Sequence, residues 1–281
     1  MIILEAIGVC YRYPNGVDAL RNVNMQVNEG EILGLLGPNG CGKTTLLLHL
    51  NGILQPQNGE IRFKGKRIKY DKKSLRELRE KIGMVFQNPD DQIISPTVWE
   101  EVAFGPVNLG WNEDMVNERV NSALSLLQIA HLKDKPSHYI SFGEKKKLSI
   151  ASIIAMDPEV LLLDEPTSNL DPKSASWMMK IIYDLNKKKG KTIIIATHDI
   201  DLAPVYVDKI CLMMDGRIIK SGTPSEVLSD RELIRATNLR LPRVGHLIEV
   251  LMKEDGLNFN GIPLTIGEAR RLIRSSMRMK D

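Results

Sequence analysis

The stretch GPNGCGKTT, Gly37 to Thr45, gathers three glycines and a lysine at the point where an apolar run gives way to a second one. Gly37, four intervening residues, then Gly42, Lys43 and Thr44 match the spacing G-x-x-x-x-G-K-[ST] at every fixed position. Glycines let successive backbone N–H groups curl around an anion that a Cβ would obstruct. A helix starting there adds the positive end of its dipole. Lys43 can then reach the β- and γ-phosphates of a nucleotide, and the Thr44 hydroxyl can ligate Mg²⁺. A functionless turn is the alternative, and the setting between Ile32–Leu36 and Thr45–Leu50 argues against it.

Four more groups have types and positions suited to the same chemistry. Asp164 and Glu165 end the apolar run that begins at Val160, where ligands of open α/β sheets bind. Asp164 suits the holding of Mg²⁺ through water, and Glu165 the role of a base toward an attacking water. His198 ends the run TIIIATHD, Thr192–Asp199, and is expected on a strand beside that of Asp164, within reach of the γ-phosphate. Gln87 follows a third apolar run and could touch both Mg²⁺ and water. Farther along, ISFGEKKKLSIASIIAM opens at Ile140 with a small turn at a helix N-terminus, a second anion site with Ser141 and Gly143 as donors. One chain does not need two such sites for one phosphate, so this one is expected to serve a second copy in a head-to-tail dimer.

The elements that must position these groups are legible in outline. Ile2–Tyr13 is β-rich, Pro14–Gly16 turns, Leu20–Val27 partly alternates, and Glu60–Gly65 reads as a further strand. Ser74 and Glu77 form a capping-box pattern for a short helix, as do Ser229 with Glu232 and Thr265 with Glu268. From about Ser95 to Ala155 the pattern is helical, with Pro106 and Pro136 as expected breaks. The runs at Val160–Glu165 and Thr192–Asp199 are continuous, as in strands buried on both faces, and Ser174–Lys189 between them completes a βαβ unit. Ile210–Gly222 is a hairpin turning at Asp215-Gly216. The tail ends in a basic helix, ARRLIRSSMRMK.

Composition excludes several classes. The chain has 281 residues, 43% of them hydrophobic and 26% charged, enough for a real core and incompatible with a mainly disordered chain. The net charge of +3 gives no global argument for nucleic acid. The runs Lys145–Lys147 and Lys187–Lys189 read as solvated helix faces. Three cysteines make no disulfide framework and point to a reducing compartment. Among them Cys41, close to Lys43 and a helix N-terminus, is expected to have a lowered thiol pKa and to make nucleotide binding thiol-sensitive. The N-terminus does not read as a signal peptide, and no run approaches the roughly 18 apolar residues of a membrane span.

Taken in order, these motifs resemble those of the ATP-binding-cassette (ABC) ATPases, over nearly all of residues 1–240. The resemblance implies an α/β P-loop NTPase fold with three parts: a RecA-like, mostly parallel sheet core, an antiparallel β subdomain, and an α-helical signature subdomain at about 95–155. Residues 241–281 would be a small helical extension that supports a dimer. The implied cofactors are ATP and Mg²⁺. The implied ATP-binding residues are Tyr13, stacked on adenine, with Gly37, Pro38, Asn39, Gly40, Cys41, Gly42, Lys43, Thr44, Thr45 and Gln87. Tyr11 competes with Tyr13 at the same strand edge. Mg²⁺ would be held by Thr44, Gln87 and Asp164. Glu165 and His198 would be catalytic, Ser141, Gly143 and Glu144 would contact ATP across a dimer, and Asp171 would belong to the D-loop SNLD. Phe142 departs from the family's L-S-G-G-Q signature, where a glycine is common.

A narrower resemblance rests on Val85–Gly110, on GEKKKLSIASIIAMDPEVLLLDEPTSNLDP and on Asn238–Leu251. These segments look like the ATPase subunits of energy-coupling-factor importers, closest to the cobalt/nickel type. That implies a homodimer, or a heterodimer with a related ATPase, docked on a transmembrane coupling subunit and a substrate-binding membrane subunit. The chain would then be peripheral on the cytoplasmic face of the cell membrane, without direct lipid insertion and without nucleic acid. A vitamin importer's ATPase would look much alike. An ABC ATPase acting on nucleic acid or ribosomes typically joins two cassettes, or inserts a long coiled coil between its motifs, and this chain does neither. A P-loop kinase has no use for the Ser141–Glu144 turn.

Overall fold

The computed structural model describes residues 1–259 and 261–278. Its centre is a six-stranded sheet in the order β10-β9-β3-β8-β7-β6. Here β3 is Ile32–Leu36, β6 Ile82–Val85, β7 Val160–Asp164, β8 Thr192–Thr197, β9 Lys209–Met214 and β10 Arg217–Gly222. Every residue of β3, β6, β7 and β8 is buried, which is why these strands read as unbroken apolar runs. Five of the strands are parallel, and only the edge strand β10 runs back, in the hairpin expected at Asp215-Gly216. A second sheet, antiparallel and ordered β2-β1-β4-β5, comprises β1 (Ile2–Arg12), β2 (Asp18–Asn28), β4 (Asn58–Phe63) and β5 (Lys66–Arg67). Helix α1 (Lys43–Leu50) lies between the two sheets. Its Leu46, Leu47 and Leu50 share one buried cluster with Val23 of β2 and with Leu162 and Ile194 of the parallel sheet.

The helical region is built from α3 (Val98–Asn108), α4 (Glu113–Leu126) and α5 (Phe142–Ile154), with two short 3₁₀ turns between α4 and α5. Its core, including Val102, Val120, Leu124 and Leu148, is continuous with Leu161, Leu163 and Ile195 on one face of the parallel sheet. Helix α6 (Pro172–Lys189) covers the same face through Met178, Ile182 and Leu185. Pro106 does not break α3; it lies in the last turn, and the helix continues two residues beyond it. Proline there forfeits one N–H where the ladder is about to end.

Two capping expectations are corrected. Helix α2 (Lys72–Lys81) begins three residues earlier than the Ser74 pattern indicates, with Asp71 as N-cap accepting from Ser74 N at 3.0 Å. After the short helices α7 (Ala203–Tyr206) and α8 (Pro224–Leu228), α9 (Arg231–Ala236) starts from Asp230, not Ser229. In both cases an aspartate takes the cap in place of the serine, because it accepts an N–H of the first turn with a charge that complements the helix dipole. The tail carries α10 (Arg243–Lys253) and α11 (Ile266–Arg278), where Thr265 Oγ1 accepts from Glu268 N at 3.2 Å and the Glu268 carboxylate reaches back to Leu264 N at 2.8 Å rather than to Thr265 N. The basic stretch's Met279 and Lys280 lie outside the described residues.

Candidate functional site

The loop between β3 and α1 owes its course to its glycines. Gly42 caps α1 at φ 108°, in left-handed space, and a Cβ there would press on Ala19 O. A Cβ on Gly37 would collide with Met213 O. The loop wraps one end of a cleft of about 500 Å³. Asn39, Gly40, Lys43, Thr44 and Thr45 line it from the loop side, Tyr13 from the end of β1, and Gln87, Asp164, Glu165 and His198 from the ends of β6, β7 and β8. Residues drawn from positions 13 to 198 therefore share one cavity. Val17 and Ala19 also line it beside Tyr13, an apolar floor that no spacing rule marks.

Tyr13 and Tyr11 pack edge to face with ring centroids 5.0 Å apart, but their other neighbours differ. The Tyr13 hydroxyl lies 3.1 Å from Thr45 Oγ1 and its ring faces the cleft. Tyr11 turns inward and packs edge-on against His49 with ring centroids 4.7 Å apart. Lys43 is buried, and its Nζ donates to Gly37 O at 2.7 Å and to Pro38 O at 3.1 Å, bracing the loop. Thr44 Oγ1 donates to Asp164 Oδ2 at 2.6 Å, while the buried Asp164 Oδ1 has no hydrogen-bond partner among the described residues. Burial, and secondarily the neighbouring Glu165, push the Asp164 carboxyl above its usual range despite the Thr44 hydrogen bond. An orphaned carboxylate oxygen beside a threonine hydroxyl is a donor set that suits a hard divalent cation.

Glu165 is buried at φ 46°, an unusual conformation for a residue with a side chain. Its Oε2 accepts from Thr197 Oγ1 at 3.1 Å. Its Oε1 accepts from His198 N at 3.0 Å and lies 2.7 Å from His198 Nδ1. The adjacency of β7 and β8 brings the two side chains together, as the sequence order implies.

The second expected anion site is a separate cleft of about 300 Å³. Ser141, Gly143, Glu144, Asn169 and Asp171 line it, and none of these lines the first cleft. Ser141 caps α5 in a full capping box: Ser141 N and Oγ donate to Glu144 Oε2 at 2.8 and 2.7 Å. Those hydrogen bonds hold the Glu144 carboxyl below its usual range. Asp171 caps α6 by accepting from Lys173 N and Ser174 N.

Two expectations fail at this site. Cys41 is 5% exposed, and burial raises its thiol pKa, outweighing the pull of Lys43. Its sulfur faces the core beneath the loop rather than the phosphate side. The Lys145–Lys147 run is not a solvated face. Lys145 pairs with Asp90 at 2.7 Å and Lys147 lies over the Trp177 ring at 4.4 Å. Lys146 is completely buried, with burial lowering its pKa to about 8 against the opposing pull of Glu165 and Asp164. Lys187–Lys189, by contrast, are exposed as expected.

Comparison with known proteins gives a consistent picture. The family model described as "ABC transporter" matches residues 20–168. The chain is 56% identical over 280 residues, spanning 100% of both chains, to the energy-coupling factor transporter ATP-binding protein EcfA of Methanocaldococcus jannaschii. It is 49% identical over 273 residues to EcfA3 of Clostridium perfringens, covering 97% of this chain and 96% of that protein. Among solved structures, cbiO1 of Clostridium perfringens, described as part of the ABC transporter complex cbiONQ, superimposes with a TM-score of 0.76 and 49% identity, over 88% of this chain and 99% of that one. A dimeric ATP-binding cassette in a post-hydrolysis state, bound to ADP and Pi, matches with a TM-score of 0.73 and 28% identity, over 79% of this chain and 99% of that one.

Proposed function

The chain belongs to the ABC transporter ATPases, and from that premise we propose that it is the motor subunit of an energy-coupling-factor importer for cobalt or nickel ions. It is an ATPase, and its fold is that of the ABC ATPases. The observation that carries the importer reading is similarity extending through the C-terminal tail to proteins named as energy-coupling factor ATPases. The metal cargo is supported by the resemblance that the segment Val85–Gly110 carries to ATPase subunits of the cobalt/nickel type. In this reading residues 1–240 are the motor and 241–281 an extension that supports the dimer.

The proposed roles follow from the cleft. Tyr13 stacks on adenine, with Val17 and Ala19 beneath it. Backbone N–H groups of the loop from Asn39 to Thr45, Cys41 included, cradle the phosphates, and Pro38 shapes the turn that leads into them. Lys43 turns from Gly37 O and Pro38 O toward the β- and γ-phosphates. Thr44, with Gln87 and Asp164 acting through water, would hold Mg²⁺. When bound, that ion neutralises charge developing on the transferred phosphoryl group. Glu165 takes the proton of the attacking water, and His198, held by Glu165 Oε1, orients water and γ-phosphate. The Ser141, Gly143 and Glu144 cleft, with Asp171, faces the nucleotide of a second copy or a related ATPase. Two clefts on one chain without a shared lining residue suit such head-to-tail pairing.

The same reading assigns a docking place for the membrane subunits. A groove of about 570 Å³ runs between α2, α3 and α5, with Arg76, Arg79 and Glu80 on one wall and Phe104 and Asn108 on the other. Ile94 and Phe104 are 65% and 51% exposed there. No helix among the described residues is long and apolar enough to cross a membrane, so a transmembrane coupling subunit is assigned this groove. Uptake by vesicles carrying the chain with its co-expressed membrane subunits tests the proposal. ATP-dependent accumulation of radioactive cobalt or nickel supports it. Uptake of a vitamin instead reassigns the cargo, and no stimulation of any uptake refutes the importer.

A further inference from the structure

Three consecutive lysines follow the turn at Ser141, and each has a different destination. Lys145 reaches Asp90 in the segment after Gln87, and Lys147 lies over Trp177 on α6. Lys146 points straight inward. At 0% exposure its Nζ donates to Glu165 O at 2.7 Å and to Ser168 Oγ at 3.2 Å. Burying an ammonium is costly, and an apolar side chain of the same length would fill the space at less cost to folding. The position therefore serves something other than packing.

What it serves is the turn that carries Glu165. Three donors converge on the Glu165 carbonyl: Lys146 Nζ, Ser168 Oγ at 2.9 Å and Ser168 N at 3.1 Å. On the other side Glu165 N donates to Ala196 O at 2.9 Å. The backbone is thus gripped from both sides at φ 46°, a conformation a non-glycine residue keeps only when its surroundings over-determine it. That conformation aims the carboxylate at Thr197 and His198.

We propose that Lys146 is a positioning residue for hydrolysis: its ammonium fixes the Glu165 turn and ties it to the helix carrying Ser141, Gly143 and Glu144. The inference rests on Glu165 being the base and on the head-to-tail pairing proposed above. Glu144 and Lys146 are two residues apart on one helix, about 3 Å along its axis. A shift of the Ser141 end, which faces one nucleotide, is therefore carried to the base that serves the other. Lys146 is the mechanical link between the two sites of a dimer.

The test uses the full chain with Lys146→Met, which keeps length and removes the ammonium, alone and combined with Glu165→Gln. The expected result is a kcat about 10- to 100-fold lower, the scale of a misplaced catalytic group, with KM for ATP within about twofold. In the Glu165→Gln background the substitution should cause no further loss, because the two residues act as a unit. A wild-type kcat, a parallel loss of ATP affinity, or a further fall in the double variant overturns the proposal. If Lys146→Met does not fold, Ser168→Ala decides: a few-fold lower kcat at unchanged KM supports it, and wild-type kinetics overturn it. Should Glu165→Gln alone hydrolyse ATP at the wild-type rate, the reading of Glu165 fails first, and the inference falls with it.

Discussion

At the scale of single residues, the proposed chemistry divides between groups that would hold the phosphates and one that would activate water. Glu165→Gln keeps the size of the side chain but cannot take a proton, so hydrolysis should fall about 10²–10⁴-fold, the usual worth of a general base. Lys43, Thr44 and the loop amides do not depend on it, so ATP binding should survive and the variant should elute as an ATP-bound dimer in size exclusion. Lys43→Ala, lacking the phosphate cation, should bind ATP poorly and stay monomeric in the same experiment. Cys41 illustrates how a correct local rule is overruled. Its neighbours favour a thiolate, but its burial beneath the loop disfavours any charge. Maleimide should therefore label Cys41 slowly in the native chain and quickly once it is unfolded, with mass spectrometry of the labelled peptides as the readout.

At the scale of elements, three structures with different packing demands meet around the cleft. Strand β7 ends in Asp164 and β8 is followed by His198 because these strands are buried on both faces and the cleft opens at their C-terminal ends. Helices α2, α3 and α5 leave a groove whose exposed apolar residues contribute little to folding. Phe104→Glu should accordingly leave the ATPase rate of the isolated chain within about twofold, since surface changes outside packed cores are nearly neutral. It should abolish co-purification with the membrane subunits. Retention of those subunits would place the docking surface elsewhere.

At the scale of the whole molecule, the segment from Arg240 to Lys253 is clipped to the rest of the chain at two charged points. Asp201, three residues after His198, accepts from Arg243 N at 2.8 Å and pairs with Arg240 at 3.2 Å. Glu249 of α10 receives Arg235 of α9 in a two-pronged pair at 2.6 and 2.7 Å. Burial pushes the Glu249 carboxyl up, but Arg235 and Lys253 prevail and hold it at about 2, against an ordinary 4.5. Because the folded pKa is depressed, this clip is at full strength above pH 4.5 and is lost as pH falls toward 2. Hydrogen exchange of α10 should accelerate across that window, and Glu249→Gln should expose α10 at neutral pH and flatten its pH response there.

Several features needed no tertiary structure. The loop Gly37–Thr45 stood out as a candidate phosphate cradle because it is contiguous, and backbone N–H groups, a lysine and a hydroxyl must follow one another at fixed spacing to surround an anion. The strands carrying Asp164 and His198 were legible because burial on both faces leaves an unbroken apolar run. Helix starts were legible only to within a residue or three, since Asp71 and Asp230 stood close to serines with equally good credentials. Tertiary structure alone decided what depends on which atoms are brought together from afar. It separated Tyr13 from Tyr11, since both occupy one strand edge and only the neighbouring His49 marks which ring turns inward. It turned Cys41 from an expected thiolate into a buried thiol. It also made one lysine of three the most deeply buried cation of the chain's described residues, because helical periodicity points consecutive side chains in directions 100° apart and only the packing partner decides which one enters the core.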